Sequence, residues 1–185
     1  MSQHFIPLHG GYKKLLSYQR AEIVYDATVY FCDHFIDRRS RTHDQMVQAA
    51  RSGKQNIAEG SMAAATSKEM EIKLTSVARA SLEELLVDYR DFLRVRGLQE
   101  WPVEHPYVRR LRELIRTPGA SYETFRKGVE NRNPAIAANV IIGLIRVTSV
   151  LLGRQIRNLE EAFLKEGGLR ERMTRARLDA RKKGS

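Results

Sequence analysis

Residues 66–97 read TSKEMEIKLTSVARASLEELLVDYRDFLRVRG. The opening Thr66-Ser67-Lys68-Glu69 has the spacing of a capping box, in which a hydroxyl at the helix start and a carboxylate three residues on satisfy free backbone N–H groups. Leu74, Val77, Ala78, Ser81, Leu85 and Phe92 then recur in three- and four-residue steps as one seam, which Leu82, Leu86, Tyr89 and Leu93 widen. Gly97 supplies the stop. The pattern predicts a helix over 66–96, about 45 Å long at roughly 1.5 Å per residue. Helices this long, joined by short loops, bury their stripes as antiparallel bundles.

Three further rods fit the same pattern. Over 11–37, Leu16, Ile23, Val24, Ala27, Tyr30, Phe31 and Phe35 form an apolar face. Over 42–60, Thr42 reads as the N-cap, Gln45 as its reciprocal partner and Asp44 as a complement to the helix dipole. Met46, Ala50, Gly53 and Ile57 share one face there, small enough for close helix approach, and Gly60 reads as the end. Over 134–166, Asn133-Pro134 is a strong start, with Asn as cap and Pro at the first helical position. Between Gly97 and this last rod the texture changes: four of the five prolines, Pro102, Pro106, Pro118 and Pro134, fall here. Two short helices fit inside, one striped by Val108, Leu111, Leu114 and Ile115, the other by Tyr122, Phe125 and Val129. The expected fold is therefore all-α: an antiparallel four-helix bundle over 1–166, a short helical insert at 97–133, and a basic tail at 167–185.

The last rod is apolar on nearly every side up to Gly153, with Asn139 and Arg146 as its interruptions. A membrane span has this length, but a central arginine costs about 2.5–3.5 kcal/mol on insertion, and the amphipathic rods upstream need a partner. Burial on two sides is the better reading, with one face in the bundle and the other under the insert or against another subunit.

Composition bounds the function. The 185 residues are 42% hydrophobic and 29% charged, enough for one domain with a real core. The single cysteine, Cys32, excludes an internal disulfide and a multi-cysteine metal site and favours a reducing compartment. Residues 1–11 lack the apolar run of a signal peptide, so the expected location is the cytoplasm. A net charge of +10 favours anionic partners without choosing among them.

Catalytic patterns are missing. None of the five histidines follows a Glu-x-x-His spacing, which carboxylate-bridged metal bundles need twice. Gly167-Gly168 lacks the lysine of a phosphate loop. Cys32 and His34 diverge around a helix, so Cys32 reads as an inert half-buried thiol. Glu59, Glu83, Glu84 and Asp88 are expected to pair with Arg51, Lys54 and Arg79. No metal, cofactor or enzymatic activity is expected.

One stretch is not generic. Residues 45–60, QMVQAARSGKQNIAEG, are followed by VARASLEEL at 77–85. This pair of motifs resembles the four-helix-bundle family of 23S rRNA-intervening-sequence proteins, in which Gln, paired Ala, Ser and Asn-Ile-Ala-Glu-Gly on one helix precede Ala-x-x-Ser-Leu-x-Glu on the next. The matching positions are Gln45, Ala49, Ala50, Ser52, Asn56, Glu59, Gly60, Ser81 and Glu84. The resemblance implies a homopentameric bundle. It also implies kinship with accessory proteins of diversity-generating retroelements, which bind nucleic acid and a reverse transcriptase through a basic surface. The insert and the tail are additions to the common pattern, as in a subset described as four-helix-bundle suffix proteins. Physically, Ala49, Ala50, Ser52 and Gly53 permit close contact. Asn56 is expected to tie a backbone carbonyl or the Ser81 hydroxyl, and Glu59 to reach Arg79 or a neighbouring subunit.

Three basic clusters are the candidate nucleic-acid contacts: Arg38, Arg39 and Arg41; Arg109, Arg110 and Arg112; and the tail residues Arg170, Arg172, Arg175, Arg177, Arg181, Lys182 and Lys183. In the tail, Leu169, Met173, Ala176 and Ala180 sit at helical spacing. Repetition in a homo-oligomer would raise the avidity of such patches, and contacts would fall mainly on phosphates of RNA or structured DNA. Aromatic stacking positions are few, with Trp101, Tyr107 and Tyr122 in the insert, which argues against dedicated single-strand readout. The alternative is a protein adaptor docking on an acidic or nucleic-acid-bound partner.

Overall fold

A computed structural model describes residues 11–183, apart from the side chains of Arg172, Lys182 and Lys183. Every regular element among the described residues is helical, and the fold is all-α. A 3-10 turn at Gly11–Lys14 leads into α1 (Leu16–Phe35), α2 (Arg41–Ala63) and α3 (Lys68–Val95); two short helices, α4 (Pro106–Leu114) and α5 (Tyr122–Val129), then precede α6 (Pro134–Glu166) and α7 (Leu169–Lys183). Among the long helices, α1 packs on α2 and α6, α2 packs on α3, and α3 packs on α6.

The helix ends follow local chemistry, with small corrections to the sequence reading. Leu15 is extended and splits the expected first rod, leaving 11–14 as a separate turn. Ser40, not Thr42, caps α2: its hydroxyl accepts from the Thr42 N–H at 3.2 Å. A turn in which the Ser40 N–H donates to the Asp37 carbonyl reverses the chain early enough for the helix to begin at Arg41. Ser67, one residue later than expected, caps α3 by accepting from the Met70 N–H. Gly60 does not end α2. It is buried where α2 crosses α3, and a Cβ there would sit 3.3 Å from both the Glu71 carbonyl oxygen and the Leu74 Cβ. Gly97, in contrast, ends α3 as expected. It adopts φ +64°, its N–H reaches the Arg94 carbonyl, and the Leu98 N–H reaches the Leu93 carbonyl, a paired closure of free carbonyls.

The buried face of α3 runs through Ala78, Leu82, Leu85, Leu86, Tyr89, Phe92 and Leu93, while Val77 lies outside it at 41% exposure. Tyr89 is enclosed and donates its hydroxyl proton to Thr28 of α1, and Phe31 packs against both Tyr89 and Phe92. On α6, Ala137 to Ile145 is buried without a gap. Its two-sided burial is now explained: α1 and α3 cover one side, and α4 and α5 lie on another. By length and composition α6 would cross a membrane, but 72% of its most apolar window is buried inside the molecule.

Two buried polar side chains fasten the insert. Asn139 of α6 is 2% exposed. Its carbonyl oxygen accepts from the Trp101 N–H at 2.7 Å, and its amide donates to the Gln99 and Ala135 carbonyls. Arg20 of α1 is fully enclosed. Its guanidinium donates to the carbonyls of Ile115 at 2.6 Å, Ala120 at 2.7 Å and Thr117 at 3.1 Å. Burial lowers its pKa from the ordinary arginine value, yet a guanidinium stays charged in proteins.

We predict that Arg20→Ala destabilises the protein by about 2–4 kcal/mol, because several carbonyls lose their donor at once. Lysine, lacking the planar fork, should restore only part of this. Urea denaturation measures the loss, and limited trypsin digestion should then cut first near Arg116. An unchanged midpoint would sink this account of the insert.

Candidate functional site

A strongly basic groove of about 240 Å³ lies where α4 crosses α6. Arg146, Val150 and Arg154 lie one helical turn apart along α6, with Val147 and Leu151 beside them; Arg112 and Arg116 come from α4 and the residues just after it. Four guanidinium groups thus ring an apolar floor. Arg146 is neutralised by Glu100, whose other oxygen accepts from Arg90 at 3.2 Å. Among the described residues no carboxylate forms an ion pair with Arg112, Arg116 or Arg154. Three uncompensated forks over a low-dielectric floor suit phosphate oxygens, which a planar guanidinium binds with two parallel hydrogen bonds.

The clusters read from the sequence do not converge. Arg38 bridges to Asp33 at 3.3 Å. Arg39 and Arg41 are exposed beside a hollow lined by Asp37, Asp88 and Asp91, so this corner carries mixed charge. Burial, then Glu84 and Asp91, push the Asp88 carboxyl above its ordinary range. Arg109, Arg110 and Arg112 are split by the helical turn of α4: Arg109 is exposed, Arg110 pairs with Glu113 at 3.1 Å, and only Arg112 faces the groove. Arg170, Arg175, Arg177 and Arg181 are exposed on α7 and do not line the groove. The side chains of Arg172, Lys182 and Lys183 lie outside the described residues. Arg116, Arg146 and Arg154, in turn, were missed by sequence reading. Their one signal was the four-residue spacing of Arg146, Val150 and Arg154 along an otherwise apolar helix.

The motif residues divide by environment. Ala49, Ala50 and Gly60 are buried on α2, and Gly60 meets α3 at Glu71 and Leu74. Asn56 ties a carbonyl, as expected, but that of Ser52, to which its amide donates at 2.9 Å. The same amide donates to the Ser52 hydroxyl, which lies 3.0 Å from the Ser81 hydroxyl, which in turn donates to the Val77 carbonyl. Gln45, Glu59 and Glu84 are exposed, and the expected pair between Glu59 and Arg79 does not form. Nor, among the described residues, do Glu83, Glu84 or Asp88 pair with Arg51, Lys54 or Arg79. Lys54 instead stands 4.2 Å from the centre of the Tyr25 ring. Water screens the outer charges, so such surface pairs would have added little.

Cys32 is fully buried, deeper than the half-buried thiol expected. Burial, with Asp33 and Asp88 nearby, pushes its thiol up to about 12. Among the described residues no group of three histidine, cysteine or carboxylate side chains is placed to hold a metal ion. The chain matches no family model, no curated protein and no solved structure.

Cys32 should therefore stay silent toward a thiol reagent between neutral pH and about pH 10, where a free thiol ionises. One equivalent should appear only after unfolding. Modification of the native protein that rises with a midpoint near pH 8.5 would contradict this environment.

Proposed function

We propose that the chain is a self-associating, non-enzymatic helical protein that binds nucleic acid through its phosphates, with Arg112, Arg116 and Arg154 at the centre of the interface. The observation that carries this reading is the set of three arginines without carboxylate partners around one apolar-floored groove. Arg170, Arg175, Arg177 and Arg181 of α7 add long-range attraction rather than a shaped site, since they stand exposed along a separate helix. Contacts of this kind favour RNA or structured DNA with little sequence preference.

The long helices α1, α2, α3 and α6 are best understood as an antiparallel four-helix bundle. Each packs on two of the others, and the connections from α1 to α2 and from α2 to α3 are short. The resemblance to the rRNA-intervening-sequence family, whose members form homopentamers, supports assembly of several copies. Met70, Val77 and Val95 support it too. All three are exposed, and helical periodicity places them on one line of α3. Repeating the groove around a ring multiplies a weak phosphate site into useful avidity.

Fluorescence anisotropy of a labelled structured RNA and a duplex DNA, titrated across a salt series, tests the interface. Each of Arg112→Gln, Arg116→Gln and Arg154→Gln should lower the slope of log affinity against log salt by about 0.7–0.9. Truncation after Glu166 should weaken binding without removing the contribution of the groove. No binding at low salt would end this reading and favour an acidic protein as the partner. Sedimentation velocity tests assembly separately. The expected mass is a multiple of the 21.2 kDa chain, and Val77→Glu should shift it toward the monomer. A monomeric wild-type protein at RNA-binding concentrations would refute the avidity argument.

A further inference from the structure

On the opposite side of α4 from the arginine groove lies a larger cavity of about 390 Å³, enclosed by α4, α5 and α6. That volume is in the range of small-ligand sites. Its lining is mainly apolar and includes Trp101, Tyr107, Phe125 and Ile136. The Trp101 backbone is clamped by Asn139, and its indole stacks in parallel on the His105 ring, with centroids 4.6 Å apart and planes 4° apart. Tyr107 closes the cluster at 5.4 Å from Trp101, yet it remains 62% exposed. A large ring left open at the mouth of an apolar pocket gains most from a second flat surface.

The polar groups of this pocket are biased toward donors. The Asn131 carbonyl oxygen already accepts from the Asn133 N–H at 2.9 Å, which leaves its amide protons available. Thr124 accepts from the Ser121 N–H at 3.1 Å, which leaves its hydroxyl proton. Among the described residues none accepts from the Trp101 indole N–H. Lys127 and Arg110 add two cations, of which only Arg110 has a carboxylate partner. A purely aliphatic ligand would leave these donors without acceptors. A planar ring edged with carbonyl oxygens and attached to a phosphate would match both the wall and the donors.

We propose that this pocket takes one unpaired nucleobase, with the attached phosphates running from Lys127 and Arg110 over α4 toward Arg112 and Arg116. The inference rests on the nucleic-acid reading above and deepens it. The protein holds single-stranded positions by stacking as well as by charge. Tyr107 and Arg110 project to the pocket side of α4 and Arg112 to the groove side, so one short helix is the shared wall of both sites. Two of the three rings that looked too few for single-strand readout, Trp101 and Tyr107, meet at this pocket together with Phe125, while Tyr122 lies outside its lining.

Trp101 is the only tryptophan in the chain, so its emission reports on this pocket alone. Full-length protein is titrated with a short oligo(U), with UMP, and with an abasic ribose-phosphate oligomer of the same length. Tryptophan emission and anisotropy are followed together. Oligo(U) should quench Trp101 and bind about 5- to 150-fold more tightly than the abasic oligomer, the range expected for one stacked base. Tyr107→Ala should remove most of that difference and leave abasic binding unchanged. Quenching by oligo(U) and not by UMP assigns the base to a strand; quenching by both extends the site to free nucleotides. Quenching by UMP alone overturns the strand. Equal binding of oligo(U) and abasic oligomer with no quenching overturns the pocket while the arginine groove survives. If no ligand binds and the emission is unchanged, both readings fall.

Discussion

A guanidinium inside an apolar core is costly unless its nitrogens are hydrogen-bonded. Arg20 meets that condition without a carboxylate, one bond from each of its three nitrogens. Its three partners are carbonyls from Ile115, Thr117 and Ala120, in the turn that closes α4. The end of α4 is where its free carbonyls gather and its dipole is negative, so the cation neutralises a helix end and fixes a turn in one step. This contact sets where α4 can lie. With the turn held against α1, α4 is laid across α6 and α5 follows on its far side. Asn139 fixes the other end of the same segment through Gln99 and Trp101. Remove either anchor, and α6 keeps its apolar surface but loses the cover that makes such a surface tolerable in water.

The charge pattern follows from that covering. As α6 leaves the shelter of the insert, Arg146 and Arg154 stand one turn either side of Val150, opposite Arg112 and Arg116. Glu100 shares its two oxygens between Arg90 and Arg146, which tethers the segment after α3 to α6 and leaves the remaining groove arginines unbalanced. Like charges held close on a rigid frame are unfavourable in the empty protein, and a polyanion relieves that repulsion when it binds.

What could be read along the chain was local. The stop at Gly97, the cap at Asn133 and most of the seam of α3 are each written within a few neighbouring residues and appear in the structure, although Val77 of that seam stands exposed. Cap positions slipped by a residue or two where several hydroxyls compete, as at Ser40 and Thr42 or Thr66 and Ser67. Gly60 looked like punctuation, since a glycine that ends a helix and one that admits a neighbouring helix are identical in a single sequence. Adjacent residues on a helix diverge by about 100°, so Arg110, which pairs with Glu113, turns away from Arg109 and Arg112 although the three are one run in the sequence. Asn139 and Arg146 read as flaws in an apolar run, and they prove to be its anchors. Their partners lie some forty residues away, a separation that no periodicity encodes.

If the proposed sites bind as inferred, the placement of α4 also couples stability to binding. The arginine groove and the aromatic pocket lie on its two sides, and both depend on its register against α6. A ligand that spans the two sites binds only the arrangement in which Arg20 and Asn139 hold the insert down. By linkage, such a ligand stabilises the segment from Gln99 to Asn131 in proportion to its occupancy. The reverse also holds. A substitution that loosens the Arg20 turn lowers affinity without touching the ligand, because the competent arrangement becomes only a fraction of the population. On the proposed reading, the polar core of the insert and the exposed basic surface act together, because one short helix, α4, has the arginine groove on one side and the aromatic pocket on the other.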